Sequence, residues 1–303
     1  MIEVAMVVTT ALLLDRWLGE FRQLHPVVGF GLLGARVERI LFHGTEHSTR
    51  ICGVVGWVAM VLPVLVIVLL LLHLEGVFYL LAEVIGLYLV VAGRGLALHA
   101  KAVEQALSRG DPIGAHERVE WMVGEEREPL DAQQLTSVTI ESVLDKGNRS
   151  LFAALFWFIV AGLPGALLFR AANILDQMWG YKSDRYYQFG WFTTHVNGWM
   201  NAIPARLTAL SYLLIGSSGC AWRCWRKQMR EKRSLNDGVV VAAGAGALQI
   251  ELGGTTRYPE GLNEQGCRRQ LFTHDIDRSV ALVEHSLLLW IGVLWGVGFL
   301  FNG

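Results

Sequence analysis

The chain has 303 residues, of which 53% are hydrophobic and only 17% charged, a balance too apolar for an ordinary soluble domain of this length. Its 26 Lys and Arg against 27 Asp and Glu leave a formal charge of −1, which excludes the strongly basic footprint of a nucleic-acid-binding protein. A bilayer is the implied solvent, and the placement of charge along the chain, rather than its sum, has to carry orientation.

Residues 4–14 are apolar, but Glu3 stands where a secretory signal has basic residues, and Asp15 and Arg16 follow without a small-residue cleavage site. This predicts a retained short helix rather than a removed signal. The run 51–72 holds no charged residue and is long enough to cross a hydrocarbon core as a helix of about 20 residues. Run 77–93 follows after the short connection His73-Leu74-Glu75-Gly76, which predicts an antiparallel helical hairpin. Its one charge, Glu83, then lies at membrane depth, where pairing with Arg94 or partial exposure to water would offset its cost.

Stretch 94–150 spaces its apolar residues as a helix does around His99, Ala102 and Val103, then reads Gly110-Asp111-Pro112. Asp111 is suited to cap a helix that has Pro112 at its first position. Run 151–169 is again uncharged but interrupted by Gly162 and Pro164, and run 207–222 is preceded by Pro204 and Arg206. The last run, 280–301, is rich in Leu and Trp with Glu284 and His285 near its start, where polar groups reach the interface. Three polar stretches, 15–50, 94–150 and 223–279, each carry several Lys or Arg and are assigned to the cytoplasm by the positive-inside rule. The expected fold is all-α: one polytopic membrane domain over 1–303 with about five spanning or re-entrant helices and a helical cytoplasmic portion. The basic residues Arg223, Arg226, Lys227, Arg230, Lys232 and Arg233 fix topology and meet anionic lipid.

Cys52, Cys220, Cys224 and Cys267 form no paired framework and read as reduced packing residues. No Gly-Lys-Ser/Thr phosphate loop occurs, and Gly244-Ala245-Gly246-Ala247 is small-residue packing or loop.

Segment 170–202 contains Arg170-Ala171-Ala172-Asn173-Ile174-Leu175-Asp176-Gln177-Met178-Trp179-Gly180-Tyr181, then Phe189-Gly190-Trp191, and Ile203-Pro204-Ala205-Arg206 follows it. Together with His25-Pro26-Val27, Gly110-Asp111, Val123-Gly124, Glu141-Ser142-Val143 and Leu252-Gly253-Gly254 in order, this resembles the CobD/CbiB family over nearly the whole chain. The resemblance implies an inner-membrane adenosylcobinamide-phosphate synthase of cobalamin biosynthesis. Such an enzyme uses ATP and magnesium to join adenosylcobyric acid, a corrinoid, to aminopropanol or ethanolamine phosphate through an amide. Activating a carboxylate, as in an acyl phosphate, asks for carboxylate-held magnesium and for Arg or Lys against developing phosphate charge.

Carried onto this sequence, the resemblance implies Glu141, Asp176, Arg185 and Arg206 as catalytic residues, with Asp176 and Glu141 as magnesium ligands. It implies His25, Asn173, Tyr181, Tyr186 and Asn201 as substrate contacts. The implied partners are the corrinoid, the amino-alcohol phosphate and the lipid bilayer, with a homo-oligomer or a complex with other cobalamin-assembly membrane proteins as a further expectation.

The chain departs from the family where a Glu-Asn pair and Asp-Gly are usual: it reads Asp145-Lys146 and Arg149-Ser150. A paired Asp is likewise replaced by Asn197-Gly198. The rival reading is therefore a non-catalytic membrane paralogue that scaffolds or regulates corrinoid assembly; a transporter is a weaker third, since Glu83 alone would polarise a substrate path.

Each site residue also has a structural reading. Asn173 and Asp176 share a helix face and serve either a phosphate-bound metal or a salt bridge with Arg170 or Arg185. Glu141 is a site carboxylate or a solvated helix charge, and His25 a substrate contact or a turn before Pro26. Tyr181, Tyr186, Tyr187, Phe189, Trp191 and Phe192 anchor the interface or stack on a corrin. If every run crosses fully, 170–202 lies away from cytoplasmic ATP; breaks at Gly162, Pro164 and Pro204 would instead make 151–169 and 207–222 re-entrant or broken helices.

Overall fold

The computed structural model describes residues 1–19, 26–42, 46–71, 73–91, 93–124, 129–180, 187–231, 236–252 and 269–302. These form α1 (Ile2–Leu18), α2 (Pro26–Leu41), α3 (Glu46–Leu71), α4 (Gly76–Val90), α5 (Gly93–Ser108), α6 (Pro112–Val123), α7 (Ala132–Gly147), a π-helical turn Asn148–Phe152, α8 (Ala153–Trp179), α9 (Trp191–Ile215), α10 (Ser218–Glu231), α11 (Asp237–Leu248) and α12 (Asp275–Asn302). No strand occurs among the described residues, so the all-α expectation holds. Four described segments are long and apolar enough to cross a membrane: Thr49–Leu71, Gly76–Ser108, Ala132–Trp179 and Asp275–Phe301.

Two compact units make up the chain, one of Met1–Ala92 with Arg149–Asn201 and the other of Gly93–Asn148 with Ala202–Gly303. In the first, α1 packs on α4, and α8 packs on α2, α3 and α4. Tyr88 of α4 closes the end of α1 by donating its hydroxyl to the Gly19 carbonyl at 2.7 Å. The core is Met60, Val61, Leu175, Trp179 and Phe189, with the Trp179 and Phe189 rings edge to face at 5.1 Å between centroids. Gly53 admits the Phe189 backbone: a Cβ there would lie 2.0 Å from the Phe189 carbonyl oxygen.

α8 is broken as its sequence predicts. Ala161 (φ −135°, ψ 18°) and Gly162 (φ 64°, ψ −163°) leave helical geometry just before Pro164. The break lies against α4, where a Cβ on Gly162 would be 3.7 Å from Glu83 Oε1 and 4.0 Å from the Tyr79 hydroxyl. Glu83 is buried and hydrogen-bonded to Tyr79, one turn earlier. That partner, rather than the Arg94 expected from sequence, is the one its own unit supplies.

In the second unit α7 is the central helix, packed by α5, α6, α11 and α12. It starts with a reciprocal capping box, Asp131 accepting from the Gln134 amide and Gln134 from the Asp131 amide. α6 starts as expected, with Asp111 Oδ1 accepting from the Gly114 amide at 2.9 Å and Pro112 in the first turn. α11, built of Gly, Ala, Val and Leu after Asp237, is fully enclosed. It approaches α10 so closely that a Cβ on Gly246 would lie 2.6 Å from the Cys220 carbonyl.

Two sequence expectations need correction. Run 207–222 is not one helix: α9 begins at Trp191, passes through Pro204 and ends at Ile215, and α10 starts anew at Ser218. The Gly216 and Ser217 amides turn back to the carbonyls of Tyr212 and Ala247 there. Secondly, Cys220 is disulfide-bonded rather than a thiol, while Cys52 and Cys224 form no disulfide; residue spacing alone carries no information on which cysteines a fold brings together.

Candidate functional site

Asp176 stands in the last turn of α8, and its Oδ2 accepts from Asn197 Nδ2 of α9 at 2.6 Å. Arg149, in the π-helical turn that precedes α8, brings Nη1 to 3.5 Å from the same oxygen, with each side chain of the pair 13% exposed. Among the described residues the ion pair of Asp176 is thus with Arg149 rather than Arg170; the other expected partner, Arg185, lies outside the described residues. Gly180 makes room for the carboxylate. A Cβ on Gly180 would fall 2.1 Å from Asp176 Oδ1 and 2.7 Å from Thr194 Oγ1.

Around this carboxylate the first unit buries a series of polar side chains, three of which have atoms with no hydrogen-bond partner among the described residues. Asn173, one turn before Asp176 on the same face, is fully buried with both Oδ1 and Nδ2 unbonded. Asn197 spends its Nδ2 on Asp176, and its buried Oδ1 has no donor. Thr193 Oγ1, one turn before Asn197 on α9, is in the same condition. Asn201 continues that face of α9 and is also buried. Each unsatisfied buried polar group costs roughly 1–3 kcal/mol, so a run of them on two facing helices marks a place built for something other than stability. Arg170 adds a second guanidinium to this unit and donates to Ser150 Oγ at 3.4 Å.

The remaining signature residues lie in the second unit, in surroundings of their own. Glu141 is buried in α7 and accepts from Ser137 Oγ at 3.2 Å, so it is not a solvated helix charge. Arg206 donates to the Ala202 carbonyl and, at 3.2 Å, to Asn236 Oδ1 at the start of α11. Asn148 Oδ1 accepts from Thr208 Oγ1 at 2.9 Å, tying α7 to α9. His25, Tyr181, Arg185 and Tyr186 lie outside the described residues.

Asp176 and Glu141, the magnesium ligands expected from sequence, belong to different units. Among the described residues no three His, Cys, Asp or Glu side chains are grouped to hold an ion, and the Asp176 carboxylate is already faced by a guanidinium. The arrangement suits recognition of a polar, charged small molecule through one carboxylate, Arg149 and amide side chains. Arg149 and Asn197 were not among the site residues expected from sequence. Their signal was present there, since both stand where the chain departs from the family pattern.

Comparison with known proteins gives one consistent result. The family described as CobD/Cbib protein matches residues 8–283. The chain is similar to a protein of Chromobacterium violaceum named cobalamin biosynthesis protein CobD, with 44% identity over 94% of both chains. It is 42% identical to a protein of the same name from Stutzerimonas stutzeri, over 97% of this chain and 96% of that one. A third, from Halalkalibacterium halodurans, is 30% identical over 96% of this chain and 95% of its own. No solved structure matches.

Proposed function

Because this chain belongs to the CobD/CbiB family, we propose that it is an adenosylcobinamide-phosphate synthase of the bacterial inner membrane. In this reading it joins adenosylcobyric acid to aminopropanol or ethanolamine phosphate at the expense of ATP. The observation that carries the reading is the buried cluster in which Asn173, Asp176 and Asn197 of the signature segment meet Arg149, with unsatisfied polar atoms on the two asparagines. Magnesium enters as part of the nucleotide substrate, because nucleotide phosphates supply most of the ligands such an ion prefers. The corrinoid and the amino-alcohol phosphate are the substrates, and the lipid bilayer is the solvent of the spans.

Several groups of this chain have roles in that reaction. In the first unit Arg149 offsets anionic charge on a phosphate, and in the second Arg206 is a cation suited to an anionic group. Asp176, Asn173 and Asn197 orient polar substrate groups, and Glu141 is a carboxylate withheld from water in the second unit. Burial of the site among apolar helices raises the weight of each electrostatic contact and keeps an activated acyl group from hydrolysis.

The test is growth of a synthase-null strain supplied with adenosylcobyric acid, together with amide formation by the purified chain. Growth and product are expected. The Arg149 to Asp176 ion pair is the specific observation that favours the rival, a non-catalytic scaffold. No growth despite normal membrane expression, with no amide formed in vitro, decides for that rival.

A further inference from the structure

We propose that Asp176, Asn173 and Asn197 form the subsite for the ammonium group of a zwitterionic amino-alcohol phosphate, and that Arg149 takes its phosphate. The inference deepens the synthase reading and rests on it for the identity of the ligand.

Three observations carry it. Asp176 Oδ2 is engaged by Asn197 and faced by Arg149, while Oδ1 occupies the space that the missing side chain of Gly180 leaves and spends nothing on Asn197. Asn197 turns its amide nitrogen to the carboxylate, which leaves its buried Oδ1 as an acceptor with no donor. Asn173, fully buried on the Asp176 face of α8, has a further unbonded oxygen. A primary ammonium has three N–H donors and no acceptor, so a carboxylate oxygen and two amide oxygens complement it in number and in polarity.

The same cluster rules against the simpler ligands. A divalent cation would meet one carboxylate whose charge is already opposed by Arg149, and a lone phosphate would meet Asp176. Arg149 Nη1 stands 3.5 Å from Asp176 Oδ2. A carboxylate and a guanidinium side by side match a small molecule that carries both opposite charges.

The experiment measures binding of three probes to the full chain in detergent: 1-amino-2-propanol O-phosphate, 1-hydroxypropan-2-yl phosphate, which has hydroxyl in place of ammonium, and 1-amino-2-propanol, which lacks the phosphate. Asp176→Asn should weaken the first about tenfold or more and leave the second unchanged. Arg149→Gln should weaken both phosphates and leave the amino alcohol unchanged. Asn197→Ala, a milder change, should repeat the Asp176→Asn selectivity at severalfold and guards against a fold defect in the charge variant. Equal loss of all three probes, or no loss in any, overturns the subsite. Its failure is distinct from failure of the synthase reading: an unaltered chain that forms the amide while Asp176→Asn binds every probe normally sinks the subsite alone. An unaltered chain that discriminates the probes as expected but forms no amide sinks the reaction and keeps the subsite.

Discussion

Gly180 lies one turn after Asp176 and limits what the site tolerates. A methyl group there would press on the Asp176 carboxylate at 2.1 Å, on its carbonyl at 2.4 Å and on Thr194 Oγ1 at 2.7 Å. Gly180→Ala should therefore lower amide formation about a hundredfold, the scale of a roughly 1 Å misplacement of a reacting group, while thermal stability falls only by about 1–3 kcal/mol. Steady-state rates and a melting curve on the same preparation check both. Asn173→Leu should go the opposite way in stability. It replaces two unbonded buried polar atoms with an apolar group of similar shape, so the free energy of unfolding should rise by about 1 kcal/mol as activity falls. Asp176 and Asn173 were legible in the sequence through the motif that contains them. Arg149 and Asn197 were legible only as departures, because a lost acidic residue shows no destination; the fold brings both of them to one carboxylate, across 27 and 21 residues.

The two interrupted helices show how far local chemistry predicts an element. Gly162 and Pro164 foretell a break, and α8 breaks where a positive φ at Gly162 allows it. Pro204 carries the same warning, yet α9 runs straight through it. Proline removes the hydrogen bond to the carbonyl four residues back, which is that of Met200. Trp157 of α8 supplies the missing donor, its indole N–H reaching the Met200 carbonyl at 3.0 Å. A tertiary partner of this kind is invisible to a reading of Pro204 alone. Trp157→Phe should orphan that carbonyl at a cost of about 1–3 kcal/mol, beyond what the same change costs at the exposed Trp199 of α9. Gly162→Ala should cost about 1–3 kcal/mol because its backbone region is open essentially to glycine alone. Denaturation in mixed detergent reads both differences.

At the scale of the whole chain the spans divide by what surrounds them. Thr49–Leu71 and Asp275–Phe301 have 22% of their most apolar windows buried, against 50% for Ala132–Trp179. Leu62, Leu70, Leu288 and Leu300 are exposed apolar side chains on the first two, surface that lipid solvates and water does not. For Thr49–Leu71 this difference follows from sequence, since 51–72 has no charge to place, whereas 132–179 carries Glu141, Asp145, Lys146, Arg149, Arg170 and Asp176. The charged residues of that segment end at Asp176, and the nucleotide of the proposed reaction is available only on the cytoplasmic side. If the break at Gly162 returns the following segment to the cytoplasmic mouth, a reporter at position 183 must be reachable from there. Ser183→Cys should therefore react with an impermeant maleimide in inside-out vesicles and stay unlabelled in intact spheroplasts. The reverse pattern would separate the signature from its nucleotide, and no arrangement of Asp176, Asn197 and Arg149 could then serve ATP-dependent ligation, however well those side chains fit the amine.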